Sequence, residues 1–332
     1  MRILLLSSLT PATGNLTSAQ RIKMHFEHAG HTVTMHDIHI EEPLHNILQC
    51  HHIDAVFGIH AERAGRLLQH CHLPYGLLLS GPDIASFATS SPEQQSIMTK
   101  AIAEARIVST YHTYFQQQAK NVWPKHASKI IAIPKAVTVQ PSTFSLRKAL
   151  AIPPSSILFL HICGIRPVKD PLFLLEILTQ WHAKNPDITT VIIGQILDKE
   201  YAAKVLPLIQ KTPKIIYYQP LPRPDLHSAI CESDAVINTA LIEGMPNALL
   251  EAMALGTPII ARNIPGNACF IQDNITGMLF ATPKEFQQKA SILLLNKQLR
   301  TSIIRHAQLD IKTNHTLMQE CEGYQTQVLP HL

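Results

Sequence analysis

The stretch Ala240–Gly256, ALIEGMPNALLEAMALG, sets two carboxylates beside the start of a helix. Pro246 lacks an amide hydrogen and has φ preset for helix, which suits a first helical position, and Gly256 supplies a left-handed stop. The spacing predicts a helix over 246–255. From Ala248 to Leu255 this cylinder is apolar on nearly every side, as in a buried helix. Glu251 interrupts it. A carboxylate there is costly unless hydrogen-bonded, so either a protein partner or a polar ligand group is required. Glu243 precedes the helix, on the loop.

The run before it, DAVINT (234–239), reads as a strand, so the motif lies on a strand, loop and helix whose loop opens at the carboxyl end of the strand. In open α/β sheets that is the ligand side. The amides of Met245, Asn247 and Ala248 are expected to point outward with the positive end of the helix dipole, a site for phosphate and most naturally for a diphosphate.

The same alternation runs through the whole chain. An apolar strand at 2–9 is followed by the Pro, Gly and Asn loop TPATGN and by an amphipathic helix over 16–29 that ends at Gly30. Further strands read at 31–38, 53–60, 75–81, 106–111 and 129–135, separated by helical segments. Between Pro134 and Pro154 the periodicity lapses among prolines, serines and threonines, which marks an interdomain region. A second series follows at 157–163, 189–194, 214–218, 234–239 and 258–263. After MLFAT (278–282) come helices over 283–295, 297–311 and 315–329. Strands alternating with helices imply parallel sheets covered on both faces, here two doubly wound, Rossmann-like domains. The expected divisions are 1–145, 146–312 and a C-terminal helical segment, 313–332, whose apolar spacing (Leu317, Cys321, Tyr324, Val328) needs a surface to bury against.

Composition excludes several classes. At 332 residues and 46% hydrophobic content the chain has room for two cores. No apolar run approaches a membrane span, and MRILLLSSLT lacks a signal peptide's length and cleavage site, so a cytoplasmic location is expected. Net charge is +4 with basic and acidic residues interspersed, which argues against nucleic acid as a partner; weak contact with anionic membrane surfaces stays open. Six cysteines show no C-x-x-C spacing and read as reduced thiols. Thirteen of the 19 histidines fall before residue 146, and they read mostly as surface residues, so no metal is assigned.

Glu243 and Glu251, eight apart within EGMPNALLEAMALGTPIIA, resemble the E-x7-E signature of retaining glycosyltransferases of family 4, which have the GT-B fold. With SLTPATGN, IHAERAGRLLQ, ICGIRPVKDPL and ARNIPGNA the likeness extends over the whole chain, and is greatest to the glycosyltransferase 1 domain-containing proteins. The resemblance implies two domains facing each other across a cleft, a nucleotide-diphosphate-sugar donor bound by the second domain, an acceptor on the side of the first, a last helix that returns to the first domain, and no cofactor. HICGIRPVKDP (161–171) is similar to the loop whose Arg and Lys hold the donor diphosphate. Lys169 matches; Gly164 takes the family arginine's place and Arg166 stands two residues nearer the lysine. Gly14 and Asn15, after Thr13, match the family's glycine-containing first loop. His60 resembles the histidine that touches the donor sugar. Where the family has Gly-Gly-x-x-Glu, Pro265, Gly266, Asn267, Ala268 and Cys269 stand here.

What this likeness implies is metal-independent transfer of a sugar to an acceptor hydroxyl with retention. Lys169, Arg166 and the loop Gly244, Met245, Pro246, Asn247 and Ala248 would take the diphosphate, Glu243 the sugar hydroxyls, Glu251 the ribose and His60 the sugar. Glu243, His60 and Lys169 are then the catalytic group. A glycoside hydrolase needs two carboxylates flanking one bond across an open cleft, which a helix interior suits poorly. A nucleotide-sugar epimerase and a non-catalytic nucleotide-sugar-binding or scaffold protein remain the alternatives.

Overall fold

In Arg2–Ser7 (β1) the residues Ile3, Leu4, Leu5 and Leu6 are all fully buried, so both faces of the strand are covered, as in a parallel sheet sandwiched by helices. A computed structural model describes all 332 residues. It divides into two compact units, Met1–Ala136 with His315–Leu332, and Val137–Asn314.

The first unit is built on β1, β2 (Thr32–Asp37), β3 (Ala55–Ile59), β4 (Tyr75–Leu78), β5 (Ile107–Thr110) and β6 (Ile130–Ala132), all parallel in the order β2-β1-β3-β4-β5-β6. The second is built on β7 (Ile157–Ile162), β8 (Ile188–Ile193), β9 (Ile215–Tyr218), β10 (Ala235–Asn238), β11 (Ile259–Arg262) and β12 (Met278–Phe280), parallel in the order β12-β11-β10-β7-β8-β9. The second is the dinucleotide-fold order, and its direction reverses between β7 and β10; in the first sheet the reversal lies between β1 and β3. Ligands of doubly wound sheets bind outside the carboxyl ends of the strands at such reversals.

Most strands are a residue or two shorter than their apolar runs. β6 is the edge strand, and its ladder to β5 runs one bond beyond Ala132, from the N–H of the buried Ile133 to the Thr110 carbonyl (2.8 Å), before the chain reaches Pro134. The helix of the opening motif is Asn247–Leu255, with Pro246 as its N-cap in extended conformation (ψ 127°), one position earlier than a first-turn proline. Gly256 closes it in the left-handed region, φ 77°.

The units divide at 136/137 rather than after 145. Residues 140–147 are tied by hydrogen bonds to the helix Arg223–Cys231 and its end: Gln140 N–H to His227 Nδ1 (3.0 Å), Ser142 Oγ to Asp225 Oδ1 (2.6 Å), and Arg147 N–H to Glu232 Oε2 (3.0 Å). The C-terminal helix, Leu317–Gln327, belongs to the first unit, where Tyr324 packs edge-on against Phe26 and Phe57 at 5.7 and 5.9 Å. Beside it Glu320 accepts from Arg21 Nη2 (3.0 Å) and pairs with His25 Nε2 (2.9 Å). His25 and His36 are thus buried, contrary to the surface reading of the early histidines. The reason for His25 is a carboxylate that only folding brings to it.

Candidate functional site

The loops leaving β7 and β10 meet at the reversal of the second sheet. After β7 the chain passes Arg166, partly buried in extended backbone, and makes a 3-10 turn, Pro167–Lys169, closed by Asp170 in the left-handed region, φ 42°. Thr239, just beyond β10, holds this turn: its hydroxyl donates to the carbonyls of Lys169 (2.9 Å) and Asp170 (2.8 Å). Since that hydroxyl proton is engaged, Thr239 Oγ1 accepts from His161 Nε2 at 3.1 Å. His161 is neutral, pushed down to about 4 by burial and then by the charge of Lys169. Arg262, at the end of β11, donates to Asp170 Oδ2 (2.9 Å) and to the Thr239 carbonyl (3.1 Å) while lying over the Phe173 ring, 3.8 Å from its centroid. The Leu241 amide donates to the Val168 carbonyl, joining the two loops.

This framework brings Lys169 Nζ to 2.5 Å from Glu243 Oε1, with both side chains largely buried. Asn238 Nδ2 donates to the same oxygen at 3.0 Å. The Glu243 carbonyl lies directly over Gly266, where a Cβ would collide with it. Gly244, Pro246, Asn247 and Ala248 are partly exposed beside this pair, and Met245 is buried with a left-handed backbone, φ 73°. A bulky residue at positive φ carries strain that the surroundings must impose.

Glu251 finds a protein partner. Its Oε1 accepts from Arg223 Nε (3.1 Å) and Nη2 (3.0 Å), and His227 Nε2 lies 3.6 Å from Oε2. His227 Nδ1 accepts from the Gln140 amide, so the ring proton is on Nε2 and faces the carboxylate. Burial raises the Glu251 carboxyl pKa, but His227 and Arg223 outweigh it and hold the group below its ordinary range. Arg223 and His227 escaped the sequence reading; the available signal was the demand of Glu251 for a cation, which does not say which of 28 basic residues answers it.

At the reversal of the first sheet, His60 follows β3 with φ 75°, again left-handed. Its Nε2 lies 3.2 Å from Asn15 Oδ1, one residue beyond Gly14, which begins the helix Gly14–His28. Its Nδ1 lies 2.6 Å from Ser80 Oγ and 3.3 Å from Asp83 Oδ2, and Ser80 Oγ donates to Asp83 Oδ2 at 2.8 Å. Burial raises the Asp83 pKa, yet His60 and Ser80 bring it below the usual carboxylate value. Ser80 and Asp83 were missed, although SGPD carries the serine, proline and acid spacing of a capping box, which they form. The structure thus groups Lys169 with Glu243, and His60 with Asn15, each pair within its own unit.

Residues 142–310 match the model of the family described as Glycosyl transferases group 1. The chain is 35% identical to the glycosyltransferase 1 domain-containing protein 1 of Xenopus tropicalis, over 99% of this chain and 98% of that protein. The chain belongs to the group 1 glycosyltransferase family. This group 1 glycosyltransferase chain is also 28% identical, over 46% of its length and 41% of the relative, to the Escherichia coli UDP-Gal:alpha-D-GlcNAc-diphosphoundecaprenol alpha-1,3-galactosyltransferase. Its fold is similar to that of Anabaena HepE, solved with UDP and glucose (TM-score 0.80, 16% identity, all of both chains), and of sucrose-phosphate synthase from Thermosynechococcus elongatus (TM-score 0.74, 14% identity, 97% and 96%). The group 1 chain therefore has the GT-B fold, each unit a six-stranded parallel sheet of Rossmann type. No helix in it is long and apolar enough to cross a membrane.

Proposed function

We propose that this protein is a retaining, metal-independent glycosyltransferase of the family 4 type, moving a sugar from a nucleotide-diphosphate sugar to an acceptor hydroxyl. The observation that carries this is the Lys169–Glu243 pair, held at the reversal of the second sheet beside the start of the helix Asn247–Leu255. A cation and the positive end of a helix dipole suit a diphosphate, and a carboxylate in the same place suits sugar hydroxyls. In this scheme the bond from the anomeric carbon to the diphosphate oxygen breaks and the acceptor oxygen bonds on the same face. The acceptor's proton leaves on the diphosphate. Lys169, with Arg166 and the amides around Ala248, stabilises the charge growing on that leaving group. Glu243 orients the sugar, Glu251 takes the ribose and His60 a sugar hydroxyl.

A second reading, a nucleotide-sugar-binding protein without turnover, draws on Cys269. It stands where the family resemblance puts a glutamate, and burial keeps its thiol protonated, pushed up to about 12.

Thermal unfolding against UDP, GDP, ADP and CMP and their sugars, in EDTA, tests both, because a ligand that binds the folded state raises its stability. A selective rise with one series, abolished by Lys169→Ala, is expected; no rise with any of them overturns the proposal. With the donor known, NMR of the product's anomeric proton reads retention, and absence of product with a broad acceptor panel favours the second reading.

A further inference from the structure

Two asparagines behind Glu243 have no part in the scheme above, and both are buried more deeply than polar side chains usually are. Asn238, the last residue of β10, is 5% exposed, and Asn267, in the short helix Pro265–Ala268, is fully buried. They form a directed chain. Asn267 Nδ2 donates to Asn238 Oδ1 (3.0 Å) and to the Arg262 carbonyl (2.9 Å), and Asn238 Nδ2 donates to Glu243 Oε1 (3.0 Å). Because both acceptors of Asn267 Nδ2 are oxygens, the orientation of its amide is determined. That in turn fixes the Asn238 amide, whose Oδ1 must face Asn267 and whose Nδ2 must face Glu243.

Holding this arrangement is costly, since Asn267 Oδ1 is buried with no hydrogen-bond partner. A purely structural contact between the end of β10 and the helix Pro265–Ala268, which follows β11, would be made more cheaply by apolar side chains. What an amide pair adds is direction at Glu243 Oε1, the oxygen that also receives Lys169.

We propose that Asn238 and Asn267 are positioning residues for Glu243: they grip its carboxylate by the Oε1 edge, which aims the carboxylate at the donor sugar. This rests on the reading of Glu243 as the sugar-binding carboxylate, and it concerns the sugar half of the donor alone. Neither substitution deletes a group assigned to the diphosphate.

The test uses the full chain with Asn267→Ala, the isosteric Asn267→Leu, which keeps the packing, and Asn238→Ala. Crystal structures of wild type and variants read the Glu243 carboxylate directly. It is expected to rotate off its wild-type position in all three, and an unmoved carboxylate in Asn238→Ala and Asn267→Leu overturns the proposal whatever the protein binds. Calorimetry with UDP and with UDP-glucose as probes gives the second readout. Affinity for UDP is expected within about twofold of wild type, while the extra affinity contributed by the glucose falls about tenfold, as for loss of a hydrogen bond to a charged group, and by no more in Asn267→Ala/Glu243→Gln than in Glu243→Gln alone. Equal losses for UDP and UDP-glucose overturn it. If wild type binds neither probe, the calorimetry is repeated with the nucleotide series that raises thermal stability; if none does, the reading of the donor site is what fails, and the crystallographic result still decides the positioning.

Discussion

Arg21 and Glu320 stand 299 positions apart in the chain and face each other fully buried in the first unit, the guanidinium donating to both carboxylate oxygens. Burial disfavours both charges, and each stabilises the other: the Arg21 pKa is raised and that of Glu320 lowered. Removing one partner leaves an uncompensated charge in the core. Glu320→Ala is expected to destabilise the first unit by about 3–5 kcal/mol, whereas the apolar pair Arg21→Met/Glu320→Leu recovers most of that. Thermal unfolding of the three proteins decides it, and a single variant as stable as wild type would show that the pair does not hold the C-terminal helix.

Acid should unfold the protein in two separable windows. His161 is neutral in the fold until about pH 4, whereas in the unfolded chain it takes a proton near 6.5. Between these values the unfolded state binds more protons, so stability falls as pH falls, by about 3 kcal/mol in all. Glu320, Glu251 and Asp83 have folded pKa values below their ordinary ones, so their contribution is present above about pH 4.5 and is lost only below it. Urea titrations from pH 8 to 4 are expected to show the first slope in wild type and a shallower one in His161→Asn, what remains belonging to histidines such as His182, whose pKa burial also lowers.

Glu251 and Glu243 should separate in their effects. Glu251→Ala strands the Arg223 charge against an apolar helix and, in the proposed role, removes the ribose partner, so both stability and donor affinity fall. Glu243→Ala removes the carboxylate that orients the sugar in the proposed role, and is expected to lower turnover more than stability. Calorimetry of donor binding beside turnover rates shows the split; wild-type activity in both variants would remove them from the site.

Gly266→Ala puts a methyl group into the Glu243 carbonyl. Either the loop Thr239–Pro246 or the helix Pro265–Ala268 must move, at a cost of about 1–3 kcal/mol. Nucleotide binding is expected to weaken with the loop displaced, whereas Gly30→Ala, which meets open space but is strained by its φ of 84°, costs stability without a collision and leaves nucleotide binding unchanged. Loss of binding in Gly30→Ala and not in Gly266→Ala would contradict the close approach.

Much of this was legible from order and spacing. Apolar runs such as ILLL at 3–6 and VII at 191–193 signal strands covered on both faces, and their alternation with helices leaves few arrangements but doubly wound parallel sheets. The helix after Pro246 and its stop at Gly256 are local events, decided by φ preferences that a residue carries with it. Residues at the carboxyl ends of β3, β7 and β10 could be named for the same reason.

Pairings were not legible, because they depend on which strands become neighbours. Lys169 meets Glu243 because β7 and β10 lie side by side, 72 residues apart in the strand order of the chain but adjacent in the sheet. The cations facing Glu251, the Asn267–Asn238 chain, the Ser80–Asp83 support of His60 and the burial of His25 against Glu320 are of the same kind. A sequence states that a buried carboxylate needs a partner; only the tertiary structure selects it, since the selection is made by distance, and distance between remote residues is a property of the packed sheets and helices alone.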